Sequence, residues 1–361
     1  MAWTSAAARV MAVFTCTGLV AVMSGCGGPA TAASPQQQAA ARFLARYAHP
    51  DGQVVRLDQG GDTVSEGQAY AMLLAEVAGD TAAFGRIWGW THDHLQLRNG
   101  LFAFHANAAG KVVSRQPASD ADLLIAWALL RYRGPGAAAR HRDGRRVAAA
   151  ILAHELTTGP GGTPILAAGP WATGRPASLD PSYWSLAAYQ GLAQLTGSPQ
   201  WHRLAAGSVA LTRDLTGAGR LLPPDWAELT SAGALRPEPA PDGSVPQTQY
   251  GLDAQRVVVW FAASCDPKAK KLAARWWPLL RPGDRAEALA LHPNGTVVDA
   301  THSLLPLVAA AAAAKAAGAT AAAQQLLQRA AAAQRSNPTY YGAAWQALGT
   351  ALLSGGSLGA C

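Results

Sequence analysis

The chain is poor in charge and in strand patterning, and each shortage removes a class of function. Only 14% of its 361 residues are Asp, Glu, Lys or Arg. Basic residues outnumber acidic ones, for a formal net charge of +7. Lys and Arg are scattered and form no dense run, so nucleic acid is not an expected partner. The sequence holds four cysteines, none spaced as a zinc site or a redox motif. Phosphate-cradling glycine loops, a Gly-x-Ser-x-Gly elbow and a dinucleotide fingerprint are all missing, which argues against nucleotide and serine-hydrolase chemistry. No short repeat recurs, which excludes a solenoid. His92-Asp93-His94 has no third ligand at a recognisable spacing, so neither a metal nor another cofactor is expected.

Apolar residues are plentiful, at 50% of the chain. That is enough for one large packed body. Residues 1–25 read as a signal peptide: Arg9, an apolar stretch from Val10 to Met23, then small residues before Cys26. That ending resembles the lipobox of bacterial lipoproteins, in which Cys26 becomes the lipidated first residue of the mature chain. Cleavage near Ala30 to Ala33 is the alternative. Residues 26–36 then form a flexible tether, and residues 37–361 form a single catalytic domain. The expected location is outside the cytoplasm, at the cell surface or beyond, with a lipid as the sole membrane contact and the protein a monomer. Export permits a disulfide between the two remaining cysteines, Cys265 and Cys361.

Helical spacing dominates from Gln36 onward, broken at Gly and Pro clusters. Twelve helices are predicted, starting near Gln36, Ser65, Thr81, Asp120, Gly144, Ser182, Pro199, Leu252, Pro267, Thr301, Thr320 and Tyr340. The alanine-rich run from Val308 to Ala333 is interrupted by Lys315, Gln324, Gln325 and Arg329, and reads as two packed helices. Twelve helices fit an all-α double barrel of six inner and six outer helices. Periodicity alone leaves a globule of stacked helix pairs open.

Four motifs open alternate helices: Ser65-Glu66-Gly67-Gln68, Ser119-Asp120-Ala121-Asp122, Asp180-Pro181-Ser182-Tyr183-Trp184, and Tyr250-Gly251-Leu252-Asp253-Ala254-Gln255-Arg256. Alternate helices of a double barrel point the same way, so these starts gather at one rim. Taken singly, each could be a helix cap or an acid answering the helix dipole. Together they supply two carboxylates for opposite tasks, one protonated to donate to a leaving oxygen and one ionised to activate water, as glycosidic hydrolysis requires. A second carboxyl, Asp120, would keep Glu66 protonated by repulsion, and Arg256 would keep Asp253 charged.

From about Arg42 to Leu353 these motifs resemble glycoside hydrolase family 8, bacterial endoglucanases that include the cellulase of cellulose-secretion systems. The stretch from Ala118 to Leu130 follows the family signature most closely. The resemblance implies an (α/α)6 barrel and an inverting endo-β-1,4-glucanase acting on a cellulose-like polymer. It also implies Glu66 as general acid, Asp253 as general base and Arg256 as the neighbour of the base. Asp120 would hold the sugar at the cleavage point, and Tyr183 would orient the attacking water. Family members that cut chitosan carry Asn at the position of Asp253, and its presence here favours glucan or xylan. Aromatic platforms for sugar rings are expected among Trp171, Trp184, Trp226, Tyr340, Tyr341 and Phe104, the last standing where relatives commonly place Trp. A glycan-binding lipoprotein without turnover is the reading from another class. It would lack an acid or a base, and neither is missing.

Overall fold

The structure is a computed structural model and describes residues 32–355 and Leu358. The expected signal peptide, Cys26 and Cys361 lie outside the described residues. Twelve α-helices are described: α1 (Pro35–Tyr47), α2 (Ser65–Ala78), α3 (Thr81–Leu95), α4 (Ser119–Arg131), α5 (Ala137–His154), α6 (Leu186–Thr196), α7 (Pro199–Leu215), α8 (Leu252–Ala263), α9 (Pro267–Leu280), α10 (Leu304–Ala316), α11 (Thr320–Ser336) and α12 (Tyr340–Leu353).

The even-numbered helices form a closed inner ring. Each contacts the next, from α2 through α4, α6, α8 and α10 to α12, and α12 returns to α2. The odd-numbered helices pack outside, so the chain weaves between layers at every step and the architecture is the (α/α)6 double barrel. Composition separates the two layers. Inner helices are buried on all sides: α10 is buried at every position from Leu304 to Ala314, and α4 from Ser119 to Leu130. Outer helices bury one stripe, as in α9, where Ala269, Leu272, Ala273, Trp276 and Leu280 recur at helical spacing. The alanines of α10 leave it slim enough to be surrounded by α8, α9, α11 and α12. The alanine-rich run is therefore two packed helices, α10 and α11.

Three predicted starts differ. α5 begins at Ala137, seven residues before Gly144, and the polar stretch Arg140-His141-Arg142-Asp143 after its first three alanines hides the helix. The Asp180 motif opens a short 3-10 turn at Pro181–Tyr183, and α6 begins only at Leu186. Residues 297–302 form a strand, which moves the start of α10 to Leu304.

Short strands occupy the loops at the helix ends. β1 (Thr63–Val64), β2 (His105–Ala106) and β3 (Val112–Ser114) make one antiparallel sheet, and β4 (Leu156–Thr158) pairs with β5 (Pro164–Leu166). β6 (Ala177–Leu179), β7 (Trp226–Leu229) and β8 (Leu235–Glu238) make a third, while β9 (Ala288–Leu291) and β10 (Val297–His302) form a hairpin. They fix the loops that carry the rim. Cys265, just after α8, is disulfide-bonded.

Candidate active site

The inner helices that begin with acidic motifs are capped by tertiary contacts. Ser65 and Ser119 are helical residues whose side chains cap nothing: Ser65 Oγ donates to Glu66 Oε2 at 3.3 Å, and Ser119 Oγ donates to the Ala167 carbonyl at 2.6 Å. The first free N–H of α2, on Ser65, donates to the Phe104 carbonyl at 2.8 Å, and that of α4, on Ser119, to the Ala168 carbonyl at 3.1 Å. The start of α8 is capped by Asp225, far upstream, whose Oδ1 accepts from Gly251 N at 2.9 Å and Ala254 N at 2.8 Å. A Cβ on Gly251 would collide with that carboxylate, which is why this position takes glycine. These contacts satisfy orphan N–H groups while leaving the acidic side chains free to face the rim.

A cleft of about 780 Å³ opens over these starts, lined among others by Glu66, Asp253, Arg256, Tyr70, Phe104 and Tyr341. Arg256 is the hub. Its Nη2 donates to Asp253 Oδ1 at 2.7 Å and lies 3.6 Å from Asp180 Oδ2. Its Nη1 donates to Asp120 Oδ2 at 2.9 Å and to the Tyr70 hydroxyl at 3.2 Å. The guanidinium carbon also lies 5.4 Å from the centre of the Tyr183 ring. The Arg256 side chain is only 5% exposed and that of Asp253 36%, so the buried cation presents a reachable carboxylate to the cleft.

Burial raises the carboxyls of Glu66, Asp120 and Asp180. Burial pushes the Glu66 pKa up to about 8, and the charge of Asp120 adds to the rise. Glu66 is therefore protonated at neutral pH, and the low-dielectric wall is the larger cause, with repulsion by Asp120 second. Asp120 itself is raised to about 6 by burial, against the pull of Arg256. Asp180, buried beneath the guanidinium, is raised well above the carboxylate range by burial and then by Asp253.

Glu66, Asp253, Arg256, Tyr183, Tyr340, Tyr341 and Phe104 all line this one cleft. Asp120 lies just beneath it, 4% exposed and held by Arg256. Trp184 is a correction. It is fully buried, with its indole N–H donating to the Leu166 carbonyl at 2.9 Å, so it is core and offers no face to a sugar. Tyr340 offers little surface to the cleft, being 2% exposed, with its ring packed against Phe43 and Tyr47 and its hydroxyl against Gly67. Trp226 is half-buried and is not among the residues that line the cleft; it lies edge-on to Tyr183 with ring centres 6.4 Å apart. Trp171 is exposed outside the cleft, its indole bonded to the Pro117 carbonyl. His92 pairs with Asp93 while His94 stacks on Trp90, both on outer helix α3.

Sequence reasoning missed Tyr70 and Asp225. Tyr70 lies one turn beyond Glu66 on the same face, a spacing that could have marked it. Asp225 sits between Pro224 and the start of β7, and nothing local marks it as the cap of a helix that starts at Leu252.

Relatives extend this picture. A family model described as glycosyl hydrolases family 8 matches residues 14–354. An endoglucanase of Cellulomonas uda is 32% identical over 56% of this chain and 57% of its own length, so the match spans less than two thirds of that relative. A probable endoglucanase of Novacetimonas hansenii is 34% identical over 70% of this chain and 74% of its own. Among solved structures, a family 8 endo-β-1,4-glucanase from an Achatina fulica gut metagenomic library superposes with a TM-score of 0.72. It is 26% identical and covers 90% of this chain and 99% of its own. With a six-fold helical double barrel whose inner helix starts deliver Glu66, Asp120, Asp253 and Arg256 to one cleft, the chain belongs to glycoside hydrolase family 8.

Proposed function

We propose that this glycoside hydrolase cuts β-1,4-glucan internally and with inversion, using Glu66 as general acid and Asp253 as general base. The observation that carries the reading is that Glu66, its pKa raised to about 8 by burial, and an Arg256-paired Asp253 face the same cleft. Glu66 gives its proton to the glycosidic oxygen as the C1–O bond breaks. A water attacks C1 from the opposite face and passes its proton to Asp253. Exchange with solvent then restores both groups. Asp120, fixed by Arg256, is placed to hold the distorted sugar, and Tyr183, against the same guanidinium, to orient the water. Tyr341 and Phe104 supply apolar surface for sugar rings. The similarity to proteins described as endoglucanases and to an endo-β-1,4-glucanase supports this substrate class.

The apolar N-terminus and the small residues before Cys26 support a protein outside the cytoplasm, anchored through a lipid on Cys26, and metabolic palmitate labelling of wild type and Cys26→Ala tests the anchor. The substrate is tested by release of reducing ends and loss of viscosity on carboxymethylcellulose, mixed-linkage glucan, xylan and chitosan. Rapid viscosity loss on the two glucans is expected. Activity confined to xylan or chitosan would overturn the substrate, and silence on all four would favour a glycan-binding protein without turnover.

A further inference from the structure

Two acidic side chains outside the cleft have no task in that mechanism. Asp122, two residues beyond Asp120 on α4, and Glu155, just past the end of α5, are both 0% exposed. They meet side chain to side chain. Asp122 Oδ1 accepts from Phe102 N at 2.8 Å. The pair's other three oxygens, Asp122 Oδ2 and both Glu155 Oε atoms, have no N–H or O–H donor from elsewhere in the described residues. Two ionised carboxylates have no hydrogen to place between them, so a bond here requires that one be an acid. Leaving two like charges in contact and out of water would be far costlier.

What the pair holds matters for the site. The bond to Phe102 N fastens the segment that continues into Phe104 and β2. Phe104 lines the cleft, its carbonyl accepts the N–H of Ser65, and β2 pairs with β1, which leads directly into α2 and Glu66. On the other side, the Glu155 carbonyl accepts from Ala167 N, and the Ala167 carbonyl accepts from Ser119 Oγ at the start of α4.

We propose that Asp122 and Glu155 share one proton, and that this bond is a pH-sensitive fastener holding the Phe102–His105 wall of the cleft against the helix that carries Asp120. The titratable groups facing the pair are Asp120, from α4 itself, and the phenol of Tyr189, from α6. Neither supplies a positive charge. Burial pushes Asp122 up to about 8 and lifts Glu155 well above the usual carboxylate range, where the charge of Asp122 is the second cause. The folded pair therefore holds a proton that the unfolded chain has released, and stability falls as pH rises toward and through that range. Once the shared proton leaves, the wall loosens and substrate is held less well.

The experiment measures melting temperature, KM and kcat from pH 5.5 to 9 for wild type, Glu155→Gln and Asp122→Asn. The kinetic arm rests on the proposed hydrolysis, whereas the melting arm needs no substrate and stands if that reading fails. Wild type is expected to lose melting temperature and to gain KM severalfold toward pH 9. Either amide donates permanently across the pair, so each variant should show a flatter melting profile and a KM that no longer rises. The alkaline fall in kcat, which belongs to Glu66, should remain. Asp122→Asn keeps an oxygen for Phe102 N and serves if Glu155→Gln does not fold. The proposal is overturned if a folded variant retains the wild-type slopes, or if wild type shows no alkaline loss of melting temperature.

Discussion

Arg256 and Asp253 stand one helical turn apart on α8 and are joined at 2.7 Å, while the other arm of the same guanidinium holds Asp120 at 2.9 Å. One buried cation thus ties the expected base to the expected sugar-holding acid. Removing it strands two carboxyls at once. Arg256→Ala should lower stability by about 3–5 kcal/mol, the usual cost of breaking a buried pair. It should also reduce kcat by about a hundredfold or more, as expected when a base loses its partner. Thermal melting and steady-state kinetics check both. Arg256→Lys should recover part of the stability but little activity, because one ammonium cannot bridge both carboxylates in the planar geometry of guanidinium.

Glu66→Gln keeps the shape and loses the proton. Activity on an unactivated polymer should fall by about 10²–10⁴-fold, the typical contribution of general acid catalysis. Melting temperature at pH 8 should hold or rise, because a buried carboxyl that resists ionisation destabilises the fold as pH climbs. Parallel melting and reducing-sugar measurements test the pair of outcomes.

The pH profile follows from the same group. Glu66 is raised to about 8, so kcat should decline as pH rises through that value and the acid loses its proton. A kcat profile flat to about pH 10 would remove Glu66 as the acid.

Trp184 and Tyr341 separate core from subsite. Trp184→Ala empties a fully buried site and should cost about 3–5 kcal/mol. Tyr341→Ala, on the cleft wall, should leave the fold nearly as stable and raise KM severalfold. Melting curves and KM on soluble glucan distinguish them.

The parts of the site that were legible in the sequence are those written into single helix starts. Glu66, Asp120, Asp253 and Arg256 each sit in the first turn or two of an inner helix, and alternation of layers brings those turns together. What holds the turns in place was not legible, because it comes from elsewhere in the chain. Asp225 caps α8, the Phe104 carbonyl receives Ser65, and the Ala168 carbonyl receives Ser119. A serine before an acid reads as a cap, yet Ser65 and Ser119 are already inside their helices. The Asp180 motif misled in a related way, since Pro181 starts a turn that stops at Tyr183. Tryptophans were the least readable. Trp184 and Trp171 both look like platforms, and only packing shows one sealed in the core and the other outside the cleft.

The division of labour between Glu66 and Asp253 is reported most directly by the configuration of the first product. Proton NMR of cellopentaose during the first moments of cleavage by the wild-type protein should show the α-anomer at the new reducing end, before mutarotation mixes the signals. The β-anomer appearing first would mean that a carboxylate attacks the sugar directly, and would contradict the account.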